Sequence, residues 1–415
     1  MIDNNVIKPA LKWDAAAGAR RHEEALAGLR ALVHRFPDFD QPVLTLTPAV
    51  KLLWMENNVL ESLLYARYDP AAALGTHELF FRQQRADGLF PCMLGSGTKD
   101  GPAEYLGFSQ IQQNVPIART SWELAKLTGK EDFLAKAYAA CARFDDWVRT
   151  YRDTRKTGLV EMFCTFDMGQ DNSPRCTKIG MSNACPNKDA AQCPPYENLP
   201  VLAPDLSAVV YGARRALSEM ATALDKPEEA AMWTERAETL RALIFKHCQD
   251  QDDGFFYDVD PRGRHLHFRG SQLFTMAQEH LFTPAEFELI WCRYLRNPHE
   301  FWTPYPFANF SVSDPHFDRK YLGNSWAGPA NCNIALRTLL WMEHYGKHDD
   351  MRTLMERWVS IHLRYGFYWQ INPWTGDPSM DPGEIAWFTE GNPMSNMSVC
   401  YLVFTEFTRK LGLIG

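Results

Sequence analysis

Several signatures of common protein classes are missing from this sequence. No tract of basic residues could neutralise a phosphate backbone, and the formal net charge is −8, so nucleic acid and anionic membrane surfaces are disfavoured as partners. No run approaches the roughly 18 apolar residues of a membrane span. The first residues, MIDNNVIKPALKWDAAAGARRHEEAL, lack the apolar core of a signal peptide. These absences predict a cytoplasmic protein.

Motifs for metals, nucleotides and nucleophiles are also missing. The sequence has no HExxH pattern, no Gly-rich phosphate loop, no dinucleotide fingerprint and no GxSxG elbow. Its histidines are dispersed, so we expect neither a metal nor another cofactor. The ten cysteines form no paired C-x2-C pattern. Cys176, Cys185 and Cys193 share one loop, where reduced thiols and a local disulfide both remain open.

Aromatic residues, by contrast, are plentiful. They make up 13% of the 415 residues and include 13 Trp. Many of them must belong to the core. Flat indole rings also stack on the apolar faces of sugars, so this composition is compatible with a carbohydrate site.

The spacing of apolar residues predicts a largely helical chain. Positions three and four apart indicate helices at 17–35, 48–66, 116–128, 131–150, 206–223, 228–247, 333–345 and 349–364. Three similar short links, at 127–133, 224–230 and 345–351, join a helix end to two acids that suit the start of the next helix. We therefore predict one all-α domain over residues 1–415, an α/α toroid with long loops and a few short strands at one mouth. A superhelical repeat is the alternative, but the sequence has no fixed period of 33 to 47 residues.

The segment 166–175, FDMGQDNSPR, is the strongest candidate for chemistry. It places Asp167 and Asp171 four residues apart among turn-forming residues. Acids on an irregular loop between helices are typical of functional sites. A simple helix-capping role for Asp171 is the alternative.

The loop sequences resemble glycoside hydrolases of the family 63 type, in particular their mannosylglycerate and glucosylglycerate hydrolase branch, which implies that the toroid is an (α/α)6 barrel. The resemblance extends from about Trp54 to Leu402 as short signatures in the family's order. They are LWMENN (53–58), QRADGLFP (84–91), QNVP (113–116), GQDNSPR (169–175), DL (205–206), DGFFYD (253–258), FSVSDPHF (310–317), WAGPANCN (326–333) and PWTG (373–376).

This resemblance implies an inverting glycosidase with two carboxylates. One carboxyl protonates the leaving oxygen, and the other activates a water on the opposite face of the sugar. By its place in the loop, Asp171 is the candidate general acid. Asp167 and Glu161 could supply the negative charge that keeps it protonated, and we expect Arg175 to point to the substrate or to Asp167.

The family's general base is missing from its usual position. Trp369 stands four residues before the Pro of the P-x-T-G turn, where the family has Glu, and Gln370 follows it. The base could have moved to Glu390, which we prefer, to Glu384 or to Asp381. Alternatively, the barrel runs different chemistry or binds sugar without cleaving it.

The same resemblance suggests the residues that bind the substrate. They are Trp54, Glu56, Asn57, Gln113, Asp167, Arg175, Trp326 and Asn333. Glu56 replaces a family Asp, Ala327 replaces an Arg and Asn331 replaces a Trp, which together indicate a remodelled pocket. Asp205 is expected to cap the helix that follows it.

Two functions of other classes remain open. A sugar epimerase or isomerase on the same barrel would rely on paired His bases, and a sugar-binding barrel would need no base at all. The sequence identifies neither the sugar nor the aglycone. If the aglycone is an acid, a Lys or Arg should line the mouth, and Arg175 is available for that purpose.

Overall fold

Helices dominate the residues that the structure, a computed structural model, describes: 11–48, 51–96, 104–194, 197–318, 326–379 and 395–414. The candidate bases Glu384, Glu390 and Asp381 lie outside these residues. The helices are α1 Ala15–Ala31, α2 Met55–Tyr65, α3 Pro70–Arg82, α4 Ile117–Thr128, α5 Glu131–Tyr151, α6 Pro174–Thr177, α7 Pro204–Ala223, α8 Pro227–Cys248, α9 Gln272–Gln278, α10 Pro284–Ile290, α11 Cys332–Arg337, α12 His348–Tyr365 and α13 Ser398–Lys410.

Within the described residues, the strands are short and belong to four antiparallel sheets. These sheets pair β1 with β2, join β3, β4 and β5, join β6, β7, β8 and β9, and pair β10 with β11. The strands are β1 Val33–Phe36, β2 Phe39–Leu44, β3 Leu52–Trp54, β4 Met93–Ser96, β5 Glu104–Gly107, β6 Glu161–Met162, β7 Val201–Leu202, β8 Asp258–Val259, β9 His265–Leu266, β10 Ala330–Asn331 and β11 Gln370–Ile371.

Six helices form an inner ring. Along this ring α2 contacts α4, α4 contacts α7, α7 contacts α9, α11 contacts α13, and α13 contacts α2. The outer helices α3, α5 and α8 pack on α2, α4 and α7, while α1 and α12 pack on α13. The predicted α/α toroid is therefore confirmed, and the superhelical alternative is not.

Burial separates the two layers. In α9 all seven residues are buried, and in α13 eleven of thirteen are. In the outer helix α8 only six of 22 residues are buried. These two inner helices are thus buried on nearly every side, whereas α8 keeps the one-sided pattern that a sequence reveals.

The predicted short links between helices form as expected. Gly129 ends α4 in the left-handed conformation with φ 64°. The next helix then begins with Glu131 and Asp132, whose charges suit the positive end of the helix dipole. The predicted helix 17–35 runs too far, because residues 33–36 form β1 instead.

Candidate active site

The signatures noted in the sequence meet at one rim of the ring. Successive inner helices run in the same direction, since each is followed by an outer helix that returns the chain. Glu56 and Asn333 are each the second residue of an inner helix, and Asp205 lies in the first turn of another. The positive ends of the inner helix dipoles consequently gather at this rim.

Arg175 anchors the Asp171 loop below this rim. Its guanidinium is fully buried and donates to both carboxylate oxygens of Asp205 and of Asp258, with Nε 2.9 Å from Asp258 Oδ2 and Nη2 3.0 Å from Asp205 Oδ1. One cation therefore joins three separate signatures. The structure corrects two predictions, since Arg175 pairs with Asp205 and Asp258 and not with Asp167, and Asp205 pairs with Arg175 inside α7 instead of capping it.

Asp167 anchors the other end of the loop. Its carboxylate is fully buried and accepts from both terminal nitrogens of Arg152, at 3.0 and 3.1 Å. It also accepts from the backbone N–H groups of Ile111, Phe163 and Cys164. Five donors leave no room for a substrate hydroxyl, so Asp167 holds a structural position, in contrast to the contact that the sequence suggests.

Glu161 is occupied in a similar way. Its two carboxylate oxygens accept from the backbone N–H groups of Thr154 and Arg155 at 2.6 and 3.0 Å. Because Asp167 is neutralised by Arg152 and Glu161 is held by backbone donors, neither matches the predicted source of negative charge beside Asp171.

Glu56 is the carboxylate that lies against this loop. Gly169, with φ 60°, approaches it so closely that an added Cβ would lie 1.4 Å from Glu56 Oε2. Asn57 and Asn114 donate side-chain hydrogen bonds to its two oxygens at 3.3 and 3.4 Å. Burial and the negative charge of Asp171 raise the pKa of Glu56 to about 8.

Asp171 itself is partly exposed at the rim. Its backbone carbonyl accepts a 3.0 Å hydrogen bond from the N–H of Trp326, which is 2% exposed. This bond ties the Asp171 loop to the WAGPANCN signature. Two elements that are distant in sequence thus fix the candidate acid in place.

The position of the family's base adjoins this signature. Strand β11 pairs with β10, and the N–H of Cys332 donates to the carbonyl of Trp369 at 2.9 Å. The rings of Trp326 and Trp369 lie 6.3 Å apart. Trp369 is buried, and its indole N–H has no hydrogen-bond partner in the described part of the chain. An apolar ring therefore fills the position that a base would need.

The remaining residues that the sequence suggests for substrate binding differ in their exposure. Trp54 is partly exposed and directly precedes Glu56's helix, while Asn57 and Asn333 are buried at helix starts. Gln113 is buried, and it lines a narrow gap between α4, α5 and α7 beside Asp145. Its amide nitrogen has no partner in the described residues.

Sequence reasoning missed the charges beneath Glu56. Arg337, at the end of α11, donates to the backbone carbonyl of Glu56 at 3.3 Å. Burial lowers its pKa to about 10, while Glu56, Glu61 and Glu279 act in the opposite direction. Burial likewise raises the pKa of Glu61 to about 7. No motif marks these residues, because they lie inside inner helices.

Paired histidines occur away from the rim. His280 and His344 stack with ring centroids 3.7 Å apart. They follow the ends of inner helices, whereas the Asp171 loop lies at their starts. Burial lowers the pKa of His280 to about 4. In the described residues, this pair does not adjoin the candidate site.

Comparison with known proteins agrees with the order of signatures. The family "mannosylglycerate hydrolase MGH1-like glycoside hydrolase domain" matches residues 53–387. The chain belongs to this family. It is therefore a glycosidase, and the resemblance predicted from the loop sequences is confirmed. A search of curated proteins finds no match.

Solved structures share the fold of this MGH1-like glycosidase. A GH63 mannosylglycerate hydrolase from Thermus thermophilus in complex with glucose has a TM-score of 0.71 at 18% identity, covering 92% of this chain and 99% of the other. The same enzyme with Tris has a TM-score of 0.72 at 17% identity, covering 94% and 100%. The neutral trehalase Nth1 from Saccharomyces cerevisiae has a TM-score of 0.63 at 13% identity, covering 92% and 76%.

Among the described residues, the helices are all too short or too polar to cross a bilayer.

Proposed function

We propose that this glycosidase cleaves an α-linked glycoside of a small sugar or sugar-acid conjugate with inversion, and that Asp171 is its general acid. The observation that carries the proposal is the position of Asp171. It sits on a doubly anchored loop, partly exposed, with Glu56 as a like-charged neighbour.

Glu56 carries a proton beside Asp171 near neutral pH. Two carboxylates that share a site cannot both ionise easily. Burial and the negative charge of Asp171 raise the pKa of Glu56 to about 8, so Glu56 is the carboxyl that holds the proton. A general acid must supply a proton to the leaving oxygen, and Glu56 keeps one next to the candidate acid.

The general base would come from elsewhere on the rim. We propose Glu390, with Glu384 as the second candidate, because both follow Trp369 in the segment that leads towards α13. The base must stand roughly 6.5–9.5 Å from the acid so that a water fits between them.

The substrate would be held by side chains around this pair. We propose Trp54 and Trp326 as sugar-stacking residues, and Glu56, Asn57, Gln113 and Asn333 as hydrogen-bonding residues. Sugar–glycerate conjugates are the first substrates to test, since the solved relatives include a mannosylglycerate hydrolase. The carboxylate of such an aglycone would need a cation other than Arg175, which is already paired with two acids.

Replacing the candidate acid tests the proposal. In Asp171→Asn, hydrolysis of mannosylglycerate or glucosylglycerate should fall about 10²- to 10⁴-fold, since general acid catalysis contributes that much. Proton NMR of the released sugar should show the inverted anomer first in the unmutated enzyme. The exposed Asp252→Asn is the matched control. Full activity in a folded Asp171→Asn protein would refute the assignment.

A sugar-binding barrel is the second candidate, and Trp369 favours it. A buried indole at the family's base position would be explained directly if hydrolysis were lost. Calorimetric titration with sugars separates the two: binding without turnover of any glycoside supports the second candidate.

We also propose that residues 1–415 form a single catalytic domain that acts in the cytoplasm without a nucleic-acid or membrane partner. Limited proteolysis to one resistant fragment, and fractionation of cells that express the protein, would test these points.

A further inference from the structure

Two cysteines face each other where the Asp171 loop begins and ends. The sulfurs of Cys164 and Cys185 and a carboxylate oxygen of Asp167 lie within 4.8 Å of one another. The adjoining backbone is already paired, since the N–H groups of Thr165 and Phe166 donate to the carbonyls of Ser182 and Asn183 at 2.8 and 3.0 Å. The two sulfurs are thus brought together by the fold itself.

A buried cation adjoins this pair. Arg152 Nη2 lies 3.7 Å from the Cys185 sulfur, and the guanidinium stacks 5.0 Å from the centre of the Phe163 ring. A hydrogen bond from the Cys164 thiol, with help from Arg152, lowers the pKa of Cys185. Burial raises the pKa of Cys164. The thiolate form is therefore favoured at Cys185, which is 4% exposed, while Cys164, which is 0% exposed, remains a thiol.

The same three side chains are a poor metal site. Both oxygens of Asp167 already accept hydrogen bonds from Arg152 and from backbone N–H groups. The positive charge of Arg152 would also repel a bound cation. A redox pair fits these surroundings better than a metal centre does.

We propose that Cys164 and Cys185 are a redox modification site, where hydrogen peroxide oxidises the two thiols to a disulfide. The Cys185 thiolate attacks one peroxide oxygen, so that an S–O bond forms, the O–O bond breaks and water leaves after protonation. The Cys164 sulfur then attacks the resulting sulfenic acid, forming the S–S bond and releasing a second water. Two thiols are oxidised to a disulfide, and one peroxide is reduced to two waters.

The disulfide would close a ring around Asp171. Residues 164–185 include the Asp171 turn and α6, so the bond would join both ends of the loop that carries the candidate acid. Closing a loop restricts the unfolded chain more than the folded one. Oxidation should therefore raise the resistance of this segment to unfolding, a consequence that does not depend on the proposed catalytic role.

Peptide mapping of the whole protein tests the proposal without any mutation. The protein is treated with hydrogen peroxide, its remaining thiols are alkylated, and it is digested without a reductant. We expect one cross-linked peptide pair containing Cys164 and Cys185, which disappears after treatment with dithiothreitol. The melting temperature of the oxidised protein should exceed that of the reduced protein.

Variants identify the pair. Cys164→Ser and Cys185→Ser should each abolish the cross-link and the rise in melting temperature. Cys176→Ser, which removes a buried thiol in the same loop, and Cys193→Ser, which removes an exposed one, should keep both. The proposal is overturned if both thiols stay alkylatable, if Cys185 pairs with Cys176 or Cys193, if oxidation lowers the melting temperature, or if zinc added to the reduced protein binds at this pair and survives dialysis.

Discussion

Glu56 shows how one methylene group reshapes an active-site rim. With Asn57, Asn114 and Gly169 around it, its carboxylate reaches the loop that carries Asp171. The resemblance noted in the sequence has a shorter Asp here, for which sugar hydroxyls are the expected partners. In this chain the carboxylate also becomes an electrostatic neighbour of the candidate acid.

Removing the charge of Glu56 should change the pH dependence of hydrolysis. Burial and the negative charge of Asp171 raise the pKa of Glu56 to about 8, and Glu56→Gln removes this titrating group. We therefore expect the alkaline limb of the kcat/KM profile to lose the ionisation near pH 8 that belongs to Glu56. The exposed Glu235→Gln on α8 should leave the limb in place. An unmoved limb in Glu56→Gln would contradict this pairing.

Removing the buried cation at Arg175 should be costly. Arg175→Met leaves Asp205 and Asp258 without their counter-charge, and breaking a buried ion pair in this way costs about 3–5 kcal/mol of unfolding free energy. Arg262→Met removes an exposed partner of Glu197 and should cost about 0–1 kcal/mol. Urea denaturation of the two variants measures the difference. Equal losses would mean that the buried cluster contributes little.

At the scale of the element, the Asp171 loop behaves as a rigid turn with anchors on both sides. Arg152 holds Asp167, Arg175 holds the start of α6, and the Trp326 N–H holds the carbonyl of Asp171. A loop that is anchored in this way can position one reactive side chain precisely. Its narrowest contact is the one between Gly169 and Glu56.

A matched pair of glycine substitutions tests this contact. Gly169→Ala and Gly180→Ala both place a side chain at positive φ, 60° and 74°, but only the first meets another group, Glu56. The positive φ should cost each variant about 1–2 kcal/mol of unfolding free energy, and Gly169→Ala should lose more because its Cβ would lie 1.4 Å from Glu56 Oε2. Only Gly169→Ala should also lose about 100-fold in kcat/KM, because small displacements at a reacting centre are costly. Equal activity in the two variants would show that the contact is dispensable.

Helices that keep one exposed polar face could be predicted from the sequence better than fully buried ones. The spacing of apolar residues identified α5, α8 and α12 to within two residues, because each keeps an exposed polar face. It missed α9 and α13, whose nearly complete burial removes the contrast on which such predictions depend. It also missed the outer helix α3. The inner helices α4 and α7 were found because a capping glycine or an acidic pair marks the link that follows each.

Prediction of the candidate site was likewise limited to features that are local in sequence. Asp171 is evident from its loop signature, which is local in sequence. The pairing of Arg175 with residues 30 and 83 positions away is not, because nothing local in the sequence indicates which acid a buried Arg will meet. The sequence therefore suggested only a helix-capping role for Asp205, whereas its carboxylate pairs with buried Arg175.

For the whole molecule, buried titratable groups set the pH range of stability. The pKa values of Glu56 and Glu61 lie at about 8 and 7, above the ordinary 4.5, so the folded state holds protons that the unfolded state has released. Stability gained from this source is lost as pH rises. Buried His77 and His362 have pKa values lowered to about 4 and 3, and they act in the opposite direction mainly below about pH 7, where unfolded histidines still hold protons.

The unfolding free energy should consequently fall between pH 7 and 8. In that window the histidines are mostly neutral in both states, while Glu56 and Glu61 must ionise in a buried setting. Urea denaturation at pH 7.0, 7.5 and 8.0 measures the slope. Glu61→Gln should flatten it, and the exposed Glu235→Gln should not. A stability that stays constant or rises over this range would contradict the raised pKa values.

The cluster around Arg175 has a consequence for engineering the specificity of this barrel. The residues that fix the loop, Arg175, Asp205 and Asp258, lie beneath the rim and contact no exposed surface. The residues that depart from the family's pattern, Trp369 and Ala327, belong to other segments of the chain. The residues that hold the loop in place are therefore different from those that change the pocket. A library that varies the second set and leaves the three ionic partners fixed should keep most of its members folded while sampling new substrates.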